Sequence, residues 1–198
     1  MNPNMQRARQ NEDQVLQAIG LVGWLTTAQV AAWVWPASGA HSARNRAAEV
    51  LGRLLERGQL LRRQTALGTW AYPLTNAGAA RASTAGDLVF RNGYDLSQLD
   101  VYRQATIVTH LLAQDCTLKL GPAGVRAAVR SGFLEADSAL CQADALSWND
   151  RRGEWDAAIV VRSLHPDLLA KARRLRPVAG QLQLLGSTFM VREFGAAI

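Results

Sequence analysis

The sequence predicts an α+β chain of 198 residues built in two parts. Residues 12–74 read as three helices followed by an alternating hairpin. A small, polar stretch follows, Ser83-Thr84-Ala85-Gly86-Asp87. Beyond it, one helix gives way to short strand-like pieces bounded by turn residues. The expected division is a flexible arm over 1–11, a first domain over 12–82, a linker over 83–98 and an α+β domain over 99–198.

In the first part, Val15, Leu16, Ile19 and Val22 recur at helical spacing and predict a helix from about Glu12 to Val22. The second helix starts legibly. Thr26 can cap it, Gln29 three residues on can reach back to the cap's amide, and Leu25 and Val30 are spaced as a hydrophobic staple. Pro36 ends it. A third helix is expected from near Ser42, with Ala43, Ala47, Val50, Leu51, Leu54 and Leu55 inward and Gly58 as its left-handed C-terminal cap. Leu60 to Gln64, a turn at Ala66-Leu67-Gly68, and Thr69 to Leu74 then alternate as a hairpin. Three helices and a hairpin in this order make a winged helix–turn–helix, a DNA-docking geometry.

In that geometry the third helix enters the major groove, led by its N-terminal residues. Its outward face begins at Ser42 and carries Asn45, Ala48, Glu49, Gly52 and Arg53, flanked by Arg44 and Arg46. Arginine pairs in bidentate fashion with guanine and asparagine with adenine, so Arg44, Asn45 and Arg46 are the expected base readers. Ala48 and Gly52 permit close approach, whereas Glu49 needs a hydrogen-bond donor to sit near phosphates. On the hairpin, Arg62, Arg63, Gln64 and Thr69 are expected at phosphates or the minor groove. The simpler alternative is a winged helix that contacts protein, its arginines solvated.

Charge favours nucleic acid. Up to Ala82 there are nine basic residues, all arginine, against four acidic ones; from Ser83 onward there are thirteen against twelve. Nearly all of the net +6 therefore lies on the DNA-docking half. The hydrophobic content of 48% is that of an ordinary globular protein, and no apolar run approaches the length of a membrane span. The polar start, Met1 to Arg7, has no apolar signal core, so a cytoplasmic location and no membrane partner are expected. Arg7 and Arg9 place the arm within reach of DNA. Cys116 and Cys141, with His41, His110 and His165 scattered, make no metal-ligand pattern; no metal and no cofactor are expected.

In the second part, Leu99 to about Leu120 reads as a helix stopped by Gly121-Pro122. Gly132 to Ala136, Ala143 to Trp148 and Trp155 to Val161 read as strands, the last two as a hairpin with Trp148 opposite Trp155. A helix from His165 or Pro166 to Arg176 carries Lys171, Arg173, Arg174 and Arg176. Gln181 to Leu185 and Phe189 to Phe194 read as two more strands.

The run Leu25-Thr26-x-x-Gln29-Val30, then Ala43-Arg44-x-Arg46, Val50-Leu51-x-Arg53-Leu54-Leu55-Glu56-x-Gly58-x-Leu60 and Tyr72-x-Leu74-Thr75-x-Ala77-Gly78-Ala79, resembles the replication-relaxation family. Thr109-His110-Leu111-Leu112 resembles that family's connecting segment. The resemblance implies a plasmid or integrative mobile element as the source, and a C-terminal α+β domain similar to a degenerate restriction-type nuclease. In such nucleases an acidic residue on a hairpin and a Glu-x-Lys on the next strand hold magnesium. Asp144 fits the first position, but Val160 stands where the metal-binding glutamate would be. One carboxylate cannot both hold the metal and position a nucleophile.

The expected function is therefore a non-catalytic, sequence-specific binder of double-stranded DNA. It would act as a transcriptional regulator or as an accessory factor in plasmid transfer or replication. A homodimer is expected, since two half-sites give an affinity that one recognition helix does not. The second domain would dimerise, touch flanking DNA or recruit another mobile-element protein. Two alternatives stand beside this reading. One is a metal-dependent nuclease using Asp144 with Glu135, Asp137 or Asp156, or a relaxase using Tyr94 or Tyr102. The other is a pure interaction module.

Overall fold

The computed structural model describes residues 3–93 and 100–197. The chain is mixed α+β and divides into two compact units, Met1–Val101 and Tyr102–Ile198. Among the described residues no helix is long and apolar enough to cross a membrane.

The first unit runs α1 (Pro3–Val22), β1 (Trp24–Leu25), α2 (Thr27–Val34), α3 (Ala40–Glu56), β2 (Arg63–Gln64), β3 (Trp70–Pro73) and α4 (Asn76–Thr84). Val15, Leu16, Ile19 and Val22 are buried on α1 as their spacing requires. The helix starts nine residues before the expected Glu12, so the arm of 1–11 is helical from Pro3. Pro3 suits a first helical turn, and Met5-Gln6-Arg7-Ala8-Arg9-Gln10 contains no breaker. Apolar periodicity could not reveal this polar extension.

The start of α2 follows the capping logic atom by atom. The Gln29 amide donates to Thr26 Oγ1 at 3.3 Å, and the Thr26 amide donates to Gln29 Oε1 at 2.9 Å. Helix α3 begins at Ala40, two residues before Ser42, and buries Ala43, Ala47, Val50, Leu51 and Leu54. It ends in a Schellman motif. Gly58 sits at φ +64°, its amide donates to the Leu55 carbonyl, and the Gln59 amide donates to the Leu54 carbonyl. Strands β2 and β3 pair antiparallel, Arg63 with Ala71 and Gln64 with Trp70. Strand β1 pairs on the other side of β3, giving the order β1-β3-β2.

Helix α4 is locked against the end of α3. Thr75 caps α4 by accepting from the Gly78 amide at 3.1 Å, and its hydroxyl donates to the Gly58 carbonyl at 2.7 Å. Gly78 lies so close to the chain after α3 that a Cβ there would stand 2.0 Å from the Gln59 carbonyl oxygen. The expected linker is partly core. Ser83 and Thr84 belong to α4, Leu88 and Phe90 are buried, and the Phe90 ring fills the place of a side chain at Gly20 of α1. The remainder of the linker, from Tyr94 onward, lies outside the described residues.

The second unit contains α5 (Val101–Ala113), β4 (Lys119–Leu120), α6 (Pro122–Arg130), a 3₁₀ turn (Ala139–Gln142), β5 (Ala145–Asn149), β6 (Glu154–Val160), α7 (Pro166–Leu175), β7 (Leu182–Leu185) and α8 (Thr188–Ala197). Its sheet has the order β4-β5-β6-β7. The first three strands are antiparallel; β7 runs parallel to β6, the connection between them passing through α7. Trp148 faces Trp155 across β5 and β6 in an edge-to-face contact, centroids 5.3 Å apart.

Four expectations fail here. The helix expected from Leu99, itself outside the described residues, runs over Val101–Ala113, and Lys119-Leu120 is strand β4 instead of its last turn. Gly121-Pro122 starts helix α6, with proline in the first turn, where its missing amide costs nothing. Gly132 to Ala136 is not a strand but the turn leaving α6, with Gly132 at φ +75°. Phe189 to Phe194 lies in α8, not in a strand. That run is too short for periodicity to decide, and the Ser187 hydroxyl accepts from the Met190 amide as a helix start does.

Candidate nucleic-acid interface

Helix α3 divides sharply. Its inner positions are at most 3% exposed, while Ser42, Arg44, Asn45, Arg46, Ala48 and Glu49 are all exposed. The outward set follows the spacing from Ser42 to Glu49, but Gly52 and Arg53, expected outward, and Leu55, expected inward, are all half-buried. Two of these polar groups are anchored lightly. Asn45 Nδ2 lies 3.1 Å from His41 Nε2 one turn earlier, and an Arg46 guanidinium nitrogen donates to Ser38 Oγ at 3.4 Å. Neither contact is buried, so both exchange with water or ligand at little cost.

Glu49 and Arg53 belong together. The carboxylate of Glu49 accepts from Arg53 at 2.5 Å, which answers the need of an acidic group on this face for a donor. Arg53 is half-buried and also reaches Glu12 on α1 at 3.2 Å. The expected outward Arg53 is therefore a bracing residue between α1 and α3. Sequence reasoning missed the centre of this brace. Glu12 is 3% exposed and gathers Arg53, Arg57 at 2.7 Å and Arg81 at 3.0 Å, while Arg81 also pairs with Asp13 at 2.7 Å. A buried carboxylate persists only when its charge is met, and here α3 and α4 both supply the partners. The signal was an acidic residue at helical spacing among the apolar positions of α1.

On the β2–β3 hairpin, Arg62, Arg63, Gln64 and Thr69 are exposed. The Arg62 guanidinium stacks on Trp70, 4.5 Å from the ring centroid, and Trp70 itself is 43% exposed. Gln64 and Thr69 brace the turn: Gln64 Nε2 donates to the Gly68 carbonyl at 3.3 Å, and the Thr65 and Thr69 hydroxyls are 2.7 Å apart. Trp70 escaped the sequence reading because strand alternation alone does not say which face of a hairpin is open.

In the second unit Asp144 is almost wholly buried and fully engaged. One oxygen accepts from Arg103 at 2.6 Å and Lys171 at 2.9 Å, the other from the Val160 amide at 2.6 Å. Burial works to raise its pKa, but the Lys171 charge and hydrogen bond, the Val160 amide and the Arg103 charge together hold the carboxyl below its ordinary value. Val160 contributes its backbone amide to this carboxylate. Of the candidate co-ligands, Glu135 and Asp137 are exposed, and Asp156 is held by Arg152 at 2.5 Å and by Asn149. Among the described residues no three His, Cys, Asp or Glu side chains gather as a metal site.

Tyr102 lies under the Arg162 guanidinium at 5.3 Å, and Tyr94 lies outside the described residues. Cys116 and Cys141 are half-buried free thiols, and burial pushes both pKa values up. Cys116 and Trp148 line an open cleft of about 580 Å³ with Asp115, Asp150 and Asp156. Asp150 there is spent on the amide and hydroxyl of Thr117.

No family model matches the chain, and comparison with curated proteins and solved structures finds no significant match.

Proposed function

We propose that the chain is a non-catalytic, sequence-specific double-stranded DNA-binding protein whose first unit works as a winged helix. The observation that carries this reading is the outward face of α3. An arginine-rich, exposed N-terminal half, Ser42-x-Arg44-Asn45-Arg46, rides on a helix whose opposite face is fixed in the core. Major-groove readers need such a helix: rigid behind, and forward of it side chains that match base edges. The hairpin, with Arg62 and Arg63, supplies phosphate contacts. The Glu12 cluster supports the reading by fixing α3 before it meets its target, so less ordering is left for binding.

The absence of catalysis in this proposal rests on Asp144, a buried carboxylate that accepts three hydrogen bonds, from Lys171, Arg103 and the Val160 amide, and is charge-paired with both cations. Origin on a mobile element, and a role in transcription, transfer or replication, rest on the replication-relaxation resemblance alone. A cytoplasmic homodimer on an inverted repeat is the assembly that fits these requirements.

The test is fluorescence anisotropy of the full chain on labelled duplex across a salt series. Binding should weaken steeply with salt. Arg62→Ala should lower affinity for all sequences and reduce the salt slope by about one, while Arg46→Ala should narrow the gap between preferred and unrelated duplexes. If neither substitution changes affinity, the domain does not meet DNA through these surfaces.

A further inference from the structure

The tip of the β2–β3 hairpin is built more rigidly than a solvent loop requires. The Gly68 amide donates to the Thr65 carbonyl at 2.9 Å, and the Thr65 amide donates to the Thr69 carbonyl at 2.8 Å. Gly68 adopts φ +76°, completing a type I turn with a glycine bulge. The paired threonine hydroxyls and the Gln64 amide close the tip further. At its apex stands Leu67, 74% exposed. A type I turn accepts most residues at that position, so the turn itself does not call for an apolar side chain there.

At 74% exposure Leu67 buries little of its side chain in the fold. On the strands that carry the tip, Arg62 stacks on Trp70, and the exposed Arg63, next along the strand, belongs to the other face of the hairpin. An apolar point, rigidly mounted and backed by two cations, fits a specific surface: an apolar base step between two phosphate walls. The minor groove is about 6 Å wide and admits a side chain more readily than a whole hairpin.

We propose that this hairpin grips the minor groove of duplex DNA and drives Leu67 as an apolar wedge into a base step, bending the duplex. Arg62 and Arg63 bind the flanking phosphates, and Trp70 fixes the direction of the Arg62 guanidinium. The wedge unstacks one step and is compensated by the wider contact that a bent duplex makes with the protein. The inference rests on the DNA-binding reading above and adds to it a residue and a deformation.

The experiment uses the full chain and a duplex carrying its best-bound sequence, end-labelled for energy transfer. Parallel duplexes carry 2-aminopurine at successive positions. Binding should bend the duplex by roughly 20–90° and raise 2-aminopurine fluorescence at one step. Leu67→Ala and Leu67→Ser should lose both signals and bind about tenfold more weakly or worse, with an unchanged circular dichroism spectrum because the side chain is exposed. A bound duplex that stays straight and stacked, or that behaves identically with the Leu67 variants, overturns the wedge and leaves DNA binding intact. Failure of the unaltered chain to bind any duplex at low salt overturns the DNA-binding reading and the wedge with it.

Discussion

Glu12 sits where α1, α3 and α4 are tied, and its removal strands three guanidinium groups against one another. Arg57 is about half exposed and Arg81 and Arg53 less so, so water relieves part of that repulsion. Glu12→Ala should therefore cost about 1–3 kcal/mol, below the range for a fully buried pair, read from urea unfolding midpoints. Asp144 makes a different prediction, one of pH. Its folded pKa lies below the ordinary carboxylate value, so the unfolded chain binds the proton more readily. The stabilisation is complete above about pH 4 and is lost as pH falls through the lower folded value. Asp144→Asn should destabilise the chain at neutral pH by roughly 2–4 kcal/mol and flatten this acid limb. An acid limb of unchanged slope would contradict the assignment. His110 shifts the opposite way in origin but not in effect. Burial lowers its pKa, so stability also declines as pH falls below about 6.5, where the unfolded imidazole protonates first.

Two glycines near the end of α3 separate conformation from space. Gly58 needs a left-handed backbone but faces open space, and Gly58→Ala should cost about 1 kcal/mol. Gly78 has ordinary dihedrals but no room against the Gln59 carbonyl, so Gly78→Ala should cost about 2 kcal/mol or more through displacement of α4. Equal costs at the two sites would overturn the packing described for α4. These elements also show what a sequence discloses. The caps at Thr26 and Gly58 were readable because each is a local hydrogen-bond pattern written within a few residues. The two tryptophans were readable because a tight turn fixes their register. The polar start of α1, the reversal at Gly121-Pro122 and the helical Phe189–Phe194 run were not. A breaker residue marks a boundary without saying which side is helical, and a short apolar run fits either period. For the candidate interface, the outward set on α3 was legible from spacing. The Glu12 brace and the exposed Trp70 depend on contacts between elements distant in sequence, which spacing does not encode.

At the scale of the molecule, the chain holds two compact units of unlike character. The first carries helix α3, whose exposed arginines are set against a buried core. The second is an α+β unit in which Asp144, the one deeply buried carboxylate among its described residues, is charge-paired with Arg103 and Lys171. In the proposed division of labour the first unit reads DNA and the second dimerises or holds a partner. The central claim is that the exposed half of α3 reads base sequence. It is tested most directly by selecting bound sequences from a random duplex pool at about 150 mM salt, with the unaltered chain and Arg46→Ala side by side. The unaltered chain should yield one motif, an inverted repeat with half-sites near one helical turn apart, and the variant should lose preference at defined positions. The same motif with undiminished preference from both proteins, or no enrichment by either, would contradict it.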